Sequence, residues 1–365
     1  MPFPKISVIM PTFNGADCLR RSIEHVLAQT MGDLELIVID DGSSDASHEI
    51  ARSFGDVRVK CFKQSNLGQS SARNAALSRA LGQYIAYCDQ DDYFGQDHLE
   101  LMSGYLDANL QVGMVYAKCL RLYLDGRKEY SGKPFNKREL EYFCYFVPSM
   151  VVHRKECLDK TGLWDEVLGR LSHEDMDFFL RFSDHYSIEY VDQLTVTRQV
   201  LRPGGGYAQA IKQLKYFSGL SRFMEKRLTH FKAAHPKNKN VAPFPGYYYH
   251  IYLSQCHPVI LYCDAQKIMP PKELIETKII PAFTPLLRIE KRSFELRLLL
   301  AMMYSLCGRA EQVVDLMTEV KLVDLSADEE VKGLMRTSLK VVAEALRQVG
   351  QEALAVRCLD VMKGC

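Results

Sequence analysis

The fold is decided by the segment 84–92, which reads Tyr84-Ile85-Ala86-Tyr87-Cys88-Asp89-Gln90-Asp91-Asp92. A short apolar run without polar alternation is typical of a strand that is buried on both faces of a sheet. Three carboxylates within the next four positions repel one another unless a cation or solvent compensates them. The segment therefore predicts a buried strand that ends in an acidic turn.

Strands and helices alternate along the chain before this segment. Apolar, β-branched runs predict buried strands at residues 6–10, 34–41 and 57–62, and helical spacing predicts helices at 17–29 and 70–81. This order favours an α/β fold with a mostly parallel sheet that is flanked by helices on both faces.

Polar side chains stand where these strands end. Thr12 and Asn14 follow the first strand, and Asp41 ends the second. Because ligands of such sheets bind beyond the carboxyl ends of the strands, we expect the functional site there. Asp41 is either a helix cap or an acceptor for a ribose hydroxyl or a base N–H.

Residues 66–74 connect the third strand to the next helix and read Asn66-Leu67-Gly68-Gln69-Ser70-Ser71-Ala72-Arg73-Asn74. The glycine permits a tight turn, and a helix N-terminus beside Arg73 attracts a diphosphate or a nucleotide base. Neither a dinucleotide fingerprint nor a P-loop is present. An ordinary loop and helix start is the alternative.

Carboxylates at two places in the chain suggest metal and acid–base chemistry. A hard divalent cation would compensate the acidic turn and bridge to diphosphate oxygens, and the spacing of Asp89 and Asp91 favours Asp91 as its direct ligand. The alternative is a solvated acidic turn. Glu174 and Asp175 begin a predicted helix, where they either complement the helix dipole or supply a general base.

The chain changes character after residue 207. Residues 93–200 mix strands with one helix at 174–182, whereas long amphipathic helical patterns dominate from about residue 209. We predict a first domain at 1–207 and an all-helical domain at 208–365 that binds the acceptor, a partner or a second copy. Two segments of that domain, 296–320 and 338–362, each read as helix, glycine turn and helix, which is similar to a tetratricopeptide repeat. Generic packed helices are the alternative.

Composition narrows the class of partner and the compartment. The chain has 46 Lys and Arg against 45 Asp and Glu, so a nucleic-acid partner is not expected. Its eleven cysteines form no C-x-x-C pair, which favours buried thiols in a reducing compartment. No signal peptide or membrane span is expected, so the predicted location is cytoplasmic, with peripheral contact at the inner face of the membrane left open.

Taken together and in order, five motifs resemble the family 2 glycosyltransferases over about the first 205 residues. They are Val8-Ile9-Met10-Pro11-Thr12-Phe13-Asn14, Ile39-Asp40-Asp41-Gly42-Ser43-Ser44-Asp45, Asn66-Leu67-Gly68 with Ala72-Arg73-Asn74, Asp89-Gln90-Asp91-Asp92, and Glu174-Asp175. The resemblance implies a GT-A fold and an inverting transfer of one sugar from a nucleoside diphosphate sugar to an acceptor hydroxyl. UDP is the family's commonest donor nucleotide.

The resemblance also implies roles for individual residues. In the nucleotide site it places Pro11 and Thr12 at the base through their backbone, Asn14 beside them, Asp41 at the base or ribose, Arg73 near the nucleotide and Asp89 by the ribose or sugar. It further implies that Asp91 binds Mn²⁺ or Mg²⁺ at the diphosphate, that Asp175 is the general base, and that Glu174 orients the acceptor.

The sequence departs from the family in two respects. The Q-x-x-R-W motif of polymerising members and their membrane spans are missing, which favours the transfer of a single sugar. The family's basic segment after the last catalytic strand is only loosely present, as Arg198 and Arg202, so residues 198–207 are either a loop that closes over the diphosphate or a linker. A catalytically silent scaffold and a nucleotidyltransferase are the alternative functions.

Overall fold

The computed structural model describes residues 3–200, 216–234, 236, 251, 256, 271–288, 293–318 and 329–364. The chain divides into two compact units. The first comprises Met1–Leu140 with Cys144–Gln209, and the second comprises Glu141–Phe143 with Ala210–Cys365. The predicted domain boundary at 207/208 lies outside the described residues and stays a prediction.

The first unit is built on a nine-stranded sheet in the order β3-β2-β1-β4-β8-β6-β9-β5, with β7 paired to β6. Its strands are β1 Ile6–Thr12, β2 Leu34–Asp40, β3 Val59–Lys63, β4 Tyr84–Tyr87, β5 Asp92–Phe94, β6 Val112–Tyr123, β7 Lys128–Ser131, β8 Val151–Arg154 and β9 Ser187–Val200.

The first four strands form a parallel half-sheet. β1 pairs with both β2 and β4, and β2 pairs with β3. Every residue of β1, β2 and β4 is buried, as expected for strands covered by helices on both faces. The register sets Thr12 opposite Asp40, so polar residues collect at one edge of the sheet.

The other half of the sheet contains both parallel and antiparallel pairs. The predicted mostly parallel arrangement therefore holds for the first four strands. β8 runs antiparallel to β4 and β6, and β5 runs antiparallel to β9, while β6 and β9 are parallel. β9 is one strand of 14 residues rather than several short ones. The edge strands β5 and β7, of three and four residues, are too short to carry a periodic signal.

The sheet curls back on itself over the acidic turn. β8, β6 and β9 separate β4 from β5 in the strand order. In a flat sheet, β4 and β5 would therefore lie roughly 19 Å apart. The connection is nevertheless short and tight, because Asp92 N donates to Asp89 O at 3.0 Å. The curl therefore brings β9 and β5 beside the carboxyl end of β4.

The first unit contains eight helices among the described residues. They are α1 Leu19–Leu27, α2 Ser47–Arg52, α3 Gln69–Leu77, α4 His98–Ala108, α5 Lys137–Leu140, α6 Leu158–Thr161, α7 Leu168–Leu171 and α8 Glu174–Ser183. Short 3₁₀ turns occupy Pro148–Met150 and Lys155–Cys157. The predicted helices 17–29, 70–81 and 174–182 correspond to α1, α3 and α8 within a few residues at each end.

The described part of the second unit is helical, as predicted. Its helices are α9 Tyr216–Ala234, α10 Pro271–Leu274, α11 Ile280–Phe283, α12 Phe294–Leu306, α13 Ala310–Thr318, α14 Glu329–Gln348 and α15 Glu352–Gly364. A π-helical segment, Ile275–Ile279, joins α10 to α11, and the 3₁₀ turn Thr284–Arg288 follows.

The two predicted helix–glycine–helix segments form two helical hairpins, α12–α13 and α14–α15. Gly308 and Gly350 both adopt positive φ, 73° and 75°. In both turns the residue after the glycine donates to a carbonyl five residues earlier, and the glycine donates to one three residues earlier. This is the Schellman motif, which only glycine adopts without strain. Many helices end in this motif, so the internal repeat and its tetratricopeptide character both stay predictions.

Two predictions from composition can be compared with the described residues. No helix among them is long and apolar enough to cross a membrane. The nine cysteines that the structure describes are free thiols, and seven of them are buried.

Candidate functional site

The acidic turn after β4 is anchored by neighbouring strands. Asp89 N donates to Ser149 Oγ at 3.0 Å, just before β8. Asp92 is the first residue of β5 and lies opposite Arg198 of β9 in the register, and Arg198 Nε pairs with Asp92 Oδ2 at 3.3 Å. Burial raises the pKa of Asp92 to about 7 against the opposing charge of Arg198. Asp92 is therefore a structural anchor that fixes where Asp89 and Asp91 stand.

Asp91 is half-buried and lies among other carboxylates. Burial and the charge of Asp89 raise the pKa of Asp91, and the charge of Arg198 offsets this increase only in part. A cation beside Asp91 would relieve this cost. Among the described residues no group of three or more His, Cys, Asp or Glu side chains is arranged to hold a metal. A carboxylate oxygen such as those of Asp91 is a ligand type that a hard divalent ion takes together with diphosphate oxygens and water.

Arg73 lies at the centre of the site. Its side chain is only 1% exposed, and it pairs with Asp89 at 3.0 Å and with Asp175 at 3.4 Å. Burial alone would lower the pKa of Arg73, but the charges of Asp89, Asp175 and Glu174 outweigh it and raise that pKa. This permanent cation joins the acidic turn to the start of α8.

The helix α8 presents Glu174 and Asp175 in its first turn. The residue before them, His173, adopts a left-handed conformation with φ 71°, which is uncommon outside glycine and recurs at functional sites. Burial and the charge of Asp175 raise the pKa of Glu174 to about 7. Burial also raises the pKa of Asp175, against the opposing charge of Arg73. A carboxylate with a raised pKa is a stronger base.

Asp41 organises the loop that leads into α3. Its side chain is only 4% exposed. Its Oδ1 accepts from Gln64 Nε2 at 2.8 Å and from Leu67 N at 2.9 Å, and its Oδ2 accepts from Gly68 N at 2.8 Å. Gly68 has φ 96°, and a Cβ there would lie 3.1 Å from Arg170 Cγ. Asp41 thus holds the loop in shape whether or not it also contacts a nucleotide.

We expect Asp41→Asn to lower the free energy of unfolding by about 1–3 kcal/mol, because the amide nitrogen cannot accept from the loop N–H groups. Urea titration measures this loss. The matched control is Asp17→Asn, since Asp17 is exposed and makes no comparable contact to that loop. Equal unfolding midpoints for Asp41→Asn and the unmodified chain would contradict this role of Asp41.

The end of β1 is tied to the acidic turn through Gln90. Thr12 Oγ1 and Phe13 N both donate to Gln90 Oε1, at 2.6 and 2.9 Å. Pro11 and Thr12 are buried within β1. Asn14 is exposed at φ 49°, and its Oδ1 accepts from Ser44 N at 2.9 Å. The loops after β1 and β2 therefore support each other.

Eight of the nine predicted site residues lie at the carboxyl ends of the parallel strands or at the start of α8, and Arg73 lies within α3. Asp89, Asp91, Arg73, Glu174 and Asp175 form one electrostatic cluster. Pro11, Thr12, Asn14 and Asp41 lie in the neighbouring loops, and Gln69 joins the loop of Asp41 to the cluster by donating to Asp89 at 3.2 Å. Their individual roles stay predictions. Of the predicted closing loop, Arg198 lies in β9 and Arg202 lies outside the described residues.

Sequence reasoning missed two contributors. Asp92 was grouped with the other acidic residues, and only the β5–β9 register shows that Arg198 is its partner. Trp164, whose ring contacts Arg73, was not singled out at all. Its signal in the sequence was that it is the chain's single tryptophan, ten residues before Glu174.

Comparison with known proteins shows that this chain is similar to glycosyltransferases. A sequence profile described as "Glycosyl transferase family 2" matches residues 7–154. A glycosyltransferase of Streptococcus pneumoniae, GlyA, is 36% identical over 118 residues, which are 31% of this chain and 17% of that protein. An uncharacterized glycosyltransferase of Rickettsia typhi is 29% identical over 62% of this chain and 73% of its own length. The chain thus matches only a small part of the pneumococcal protein.

A solved structure shares the fold. S. aureus TarS, crystallised in complex with UDP-GlcNAc, superimposes with a TM-score of 0.62 over 86% of this chain and 89% of that chain, at 17% identity. This likeness, together with the curled mixed sheet and its flanking helices, confirms the predicted GT-A fold.

Proposed function

This chain belongs to the family 2 glycosyltransferases, and from that premise we propose that it transfers a single sugar, with inversion, from a nucleoside diphosphate sugar to an acceptor hydroxyl. The observation that carries the proposal is the cluster in which Arg73 pairs with both Asp89 and Asp175. In this cluster Asp89 is suited to bind the donor, and Asp175, which shares its partner Arg73, is suited to accept a proton.

In the proposed reaction, the acceptor hydroxyl oxygen attacks the anomeric carbon from the face opposite the diphosphate. The new carbon–oxygen bond forms as the bond from the anomeric carbon to the diphosphate oxygen breaks, and its electron pair leaves with the nucleoside diphosphate. The proton of the hydroxyl passes to Asp175, whose raised pKa suits this role. Glu174 lies beside it and orients the acceptor.

The remaining predicted residues would bind the donor. We assign Asp91 as the protein ligand of Mn²⁺ or Mg²⁺, and when bound, that ion neutralises charge on the departing diphosphate. Asp89 would lie by the ribose or sugar. The backbone of Pro11 and Thr12, with Asn14 and Asp41, would surround the nucleotide. A UDP-linked donor is favoured because the TarS structure that shares the fold holds UDP-GlcNAc.

The helical unit is proposed to serve the acceptor, a partner protein or a second copy of the chain. We further propose a cytoplasmic location, with peripheral contact at the inner face of the membrane as the arrangement for a lipid-linked acceptor. These roles rest on the sequence alone.

Thermal unfolding with ligands tests donor and metal binding. We expect a UDP sugar together with Mn²⁺ to raise the Tm by roughly 5 °C at saturating concentrations, because both bind the folded state. The increase should be small with either ligand alone. Asp91→Asn should lose the Mn²⁺-dependent part of the increase, since it removes the charged ligand of the ion.

The control is Asp125→Asn, because Asp125 is an exposed aspartate in the turn between β6 and β7. This variant should keep the full increase in Tm. A Tm that no nucleotide sugar changes in the presence of Mn²⁺ would count against the proposed function. An unaltered Mn²⁺ response in Asp91→Asn would instead remove only the assignment of the ligand.

A further inference from the structure

Trp164 is the only tryptophan of the chain and lies between α6 and α7. Its side chain is 2% exposed. The guanidinium of Arg73 lies over its ring, with Cζ 4.5 Å from the ring centroid. The aromatic face therefore closes one side of the pocket that holds Arg73, while Asp89 and Asp175 occupy other sides.

Contacts hold both the backbone and the side chain of Trp164. Its backbone is clamped by Asn74, which donates to Trp164 O and accepts from Trp164 N, both at 3.0 Å. Its indole N–H donates to Tyr87 Oη at 3.3 Å. Its other face stacks on Phe178 of α8, with centroids 4.1 Å apart and an angle of 11° between the planes. Trp164 thus has one defined position.

Tyr87 is held in turn by His153. Its hydroxyl lies 2.9 Å from His153 Nε2, and both residues are buried. Burial lowers the pKa of His153 to about 4, so its ring is neutral and exchanges one hydrogen bond with the tyrosine hydroxyl. The support for Trp164 therefore reaches from β4 to β8.

Arg73 needs such support because its hydrogen bonds alone do not define its position. Its Nε is buried without a hydrogen-bond partner, and the pairing distance to Asp175 is long, at 3.4 Å. A cation above an aromatic face is attracted by the ring quadrupole, typically by about 0.5–2 kcal/mol depending on burial. The ring thus adds a contact to the guanidinium, which pairs with both carboxylates.

We propose that Trp164 is a positioning residue for the transfer reaction, whose indole face holds Arg73 between Asp89 and Asp175. Through Arg73 it fixes the distance between the carboxylate on the donor side and the general base. Its stacking on Phe178 ties the same ring to α8, which carries Asp175. This inference rests on the proposed function, in which Asp175 accepts the proton.

The first test compares two substitutions. Trp164→Leu removes the aromatic face and should lower kcat about tenfold, since the attraction lost corresponds to that factor in rate. Trp164→Phe keeps a ring over Arg73 and should restore kcat to within about threefold of the unmodified enzyme. Leu106→Ala, in the buried core of α4, controls for lost core packing. A loss of kcat in Trp164→Leu no larger than that in Leu106→Ala would overturn the proposal.

The second test is the pH profile, which loss of stability alone would not shift. Charged and titratable groups that act on Asp175 or respond to it are Arg73, Asp89, Glu174, Arg198 and Cys144. Of these, Arg73 is the largest influence that lowers the pKa of Asp175. With Arg73 displaced, the acid limb of kcat/KM should move to higher pH in Trp164→Leu but not in Trp164→Phe or Leu106→Ala. An unmoved limb in Trp164→Leu would overturn the proposal.

The third test needs no activity. Emission excited at 295 nm comes from Trp164 alone, so Arg73→Met should change its intensity or maximum, whereas Arg79→Met should not, because Arg79 lies over Phe62 instead. Identical spectra for Arg73→Met and the unmodified chain would disprove the contact. If the spectra differ as expected but the unmodified chain releases no nucleoside diphosphate from any sugar donor, the proposed function fails and the contact between Trp164 and Arg73 stands.

Discussion

We expect Asp175→Asn to lower kcat by about 10²–10⁴-fold, with little change in donor affinity. An amide cannot accept the proton of the acceptor hydroxyl, and general base catalysis typically contributes a factor of that size. Steady-state kinetics with the donor identified by thermal unfolding measures the effect. The control is Asp177→Asn on the same helix, because Asp177 pairs with Arg181 rather than with Arg73. Equal losses in the two variants would indicate damage to α8 rather than loss of a base.

The pH dependence of kcat/KM tests the same assignment of the general base. Burial raises the pKa of both Glu174 and Asp175, that of Glu174 to about 7. The base must be deprotonated to act, so kcat/KM should fall as the pH drops through the raised pKa of Asp175. The two carboxyls titrate as a pair, and the apparent pKa belongs to the pair. A rate that stays constant down to the ordinary titration range of an aspartate, about pH 4, would contradict a base in this environment.

The second large effect is expected for Arg73→Met. Removing the buried cation leaves Asp89 and Asp175 without their shared partner. Loss of one partner from a buried ion pair costs about 3–5 kcal/mol. Both carboxylates keep some exposure, 17% and 28%, so we expect the free energy of unfolding to fall by about 2–3 kcal/mol. We also expect kcat to fall at least 100-fold, because both halves of the site lose their alignment.

Arg73→Lys distinguishes charge from geometry. A lysine retains the positive charge but presents a single ammonium, which cannot contact two separated carboxylates as a guanidinium does. It should therefore recover most of the stability and little of the activity. Urea titration and kinetics on the same preparations measure both. An Arg73→Met variant as stable and as active as the unmodified chain would refute the central position given to Arg73.

Much of the parallel half-sheet could be predicted because its signal is local. β1, β2 and β4 are mostly apolar runs that are followed by polar residues, and each is buried throughout. The curl could not be predicted, since it depends on the pairing of β5 with β9, roughly a hundred residues apart. A strand of three residues has no period to detect.

The site divides in the same way. The carboxylates and Arg73 were predicted from motifs whose order matches a known family. The contact of Trp164 with Arg73 and the pair formed by Asp92 and Arg198 arise from tertiary packing, which sequence spacing does not encode. Asp41 differs from both groups. The sequence predicts it as a site residue, and the structure adds that its side chain holds the loop at Gly68.

The most direct test of the proposed function identifies the product released from the donor. The unmodified chain and the variants Asp91→Asn and Asp175→Asn would be incubated with Mn²⁺ and a panel of nucleotide sugars, and the nucleoside diphosphate released would be quantified. The account predicts nucleoside diphosphate from the unmodified chain and at least 100-fold slower release from both variants. No release of nucleoside diphosphate from any donor, or release at unchanged rates from both variants, would contradict it.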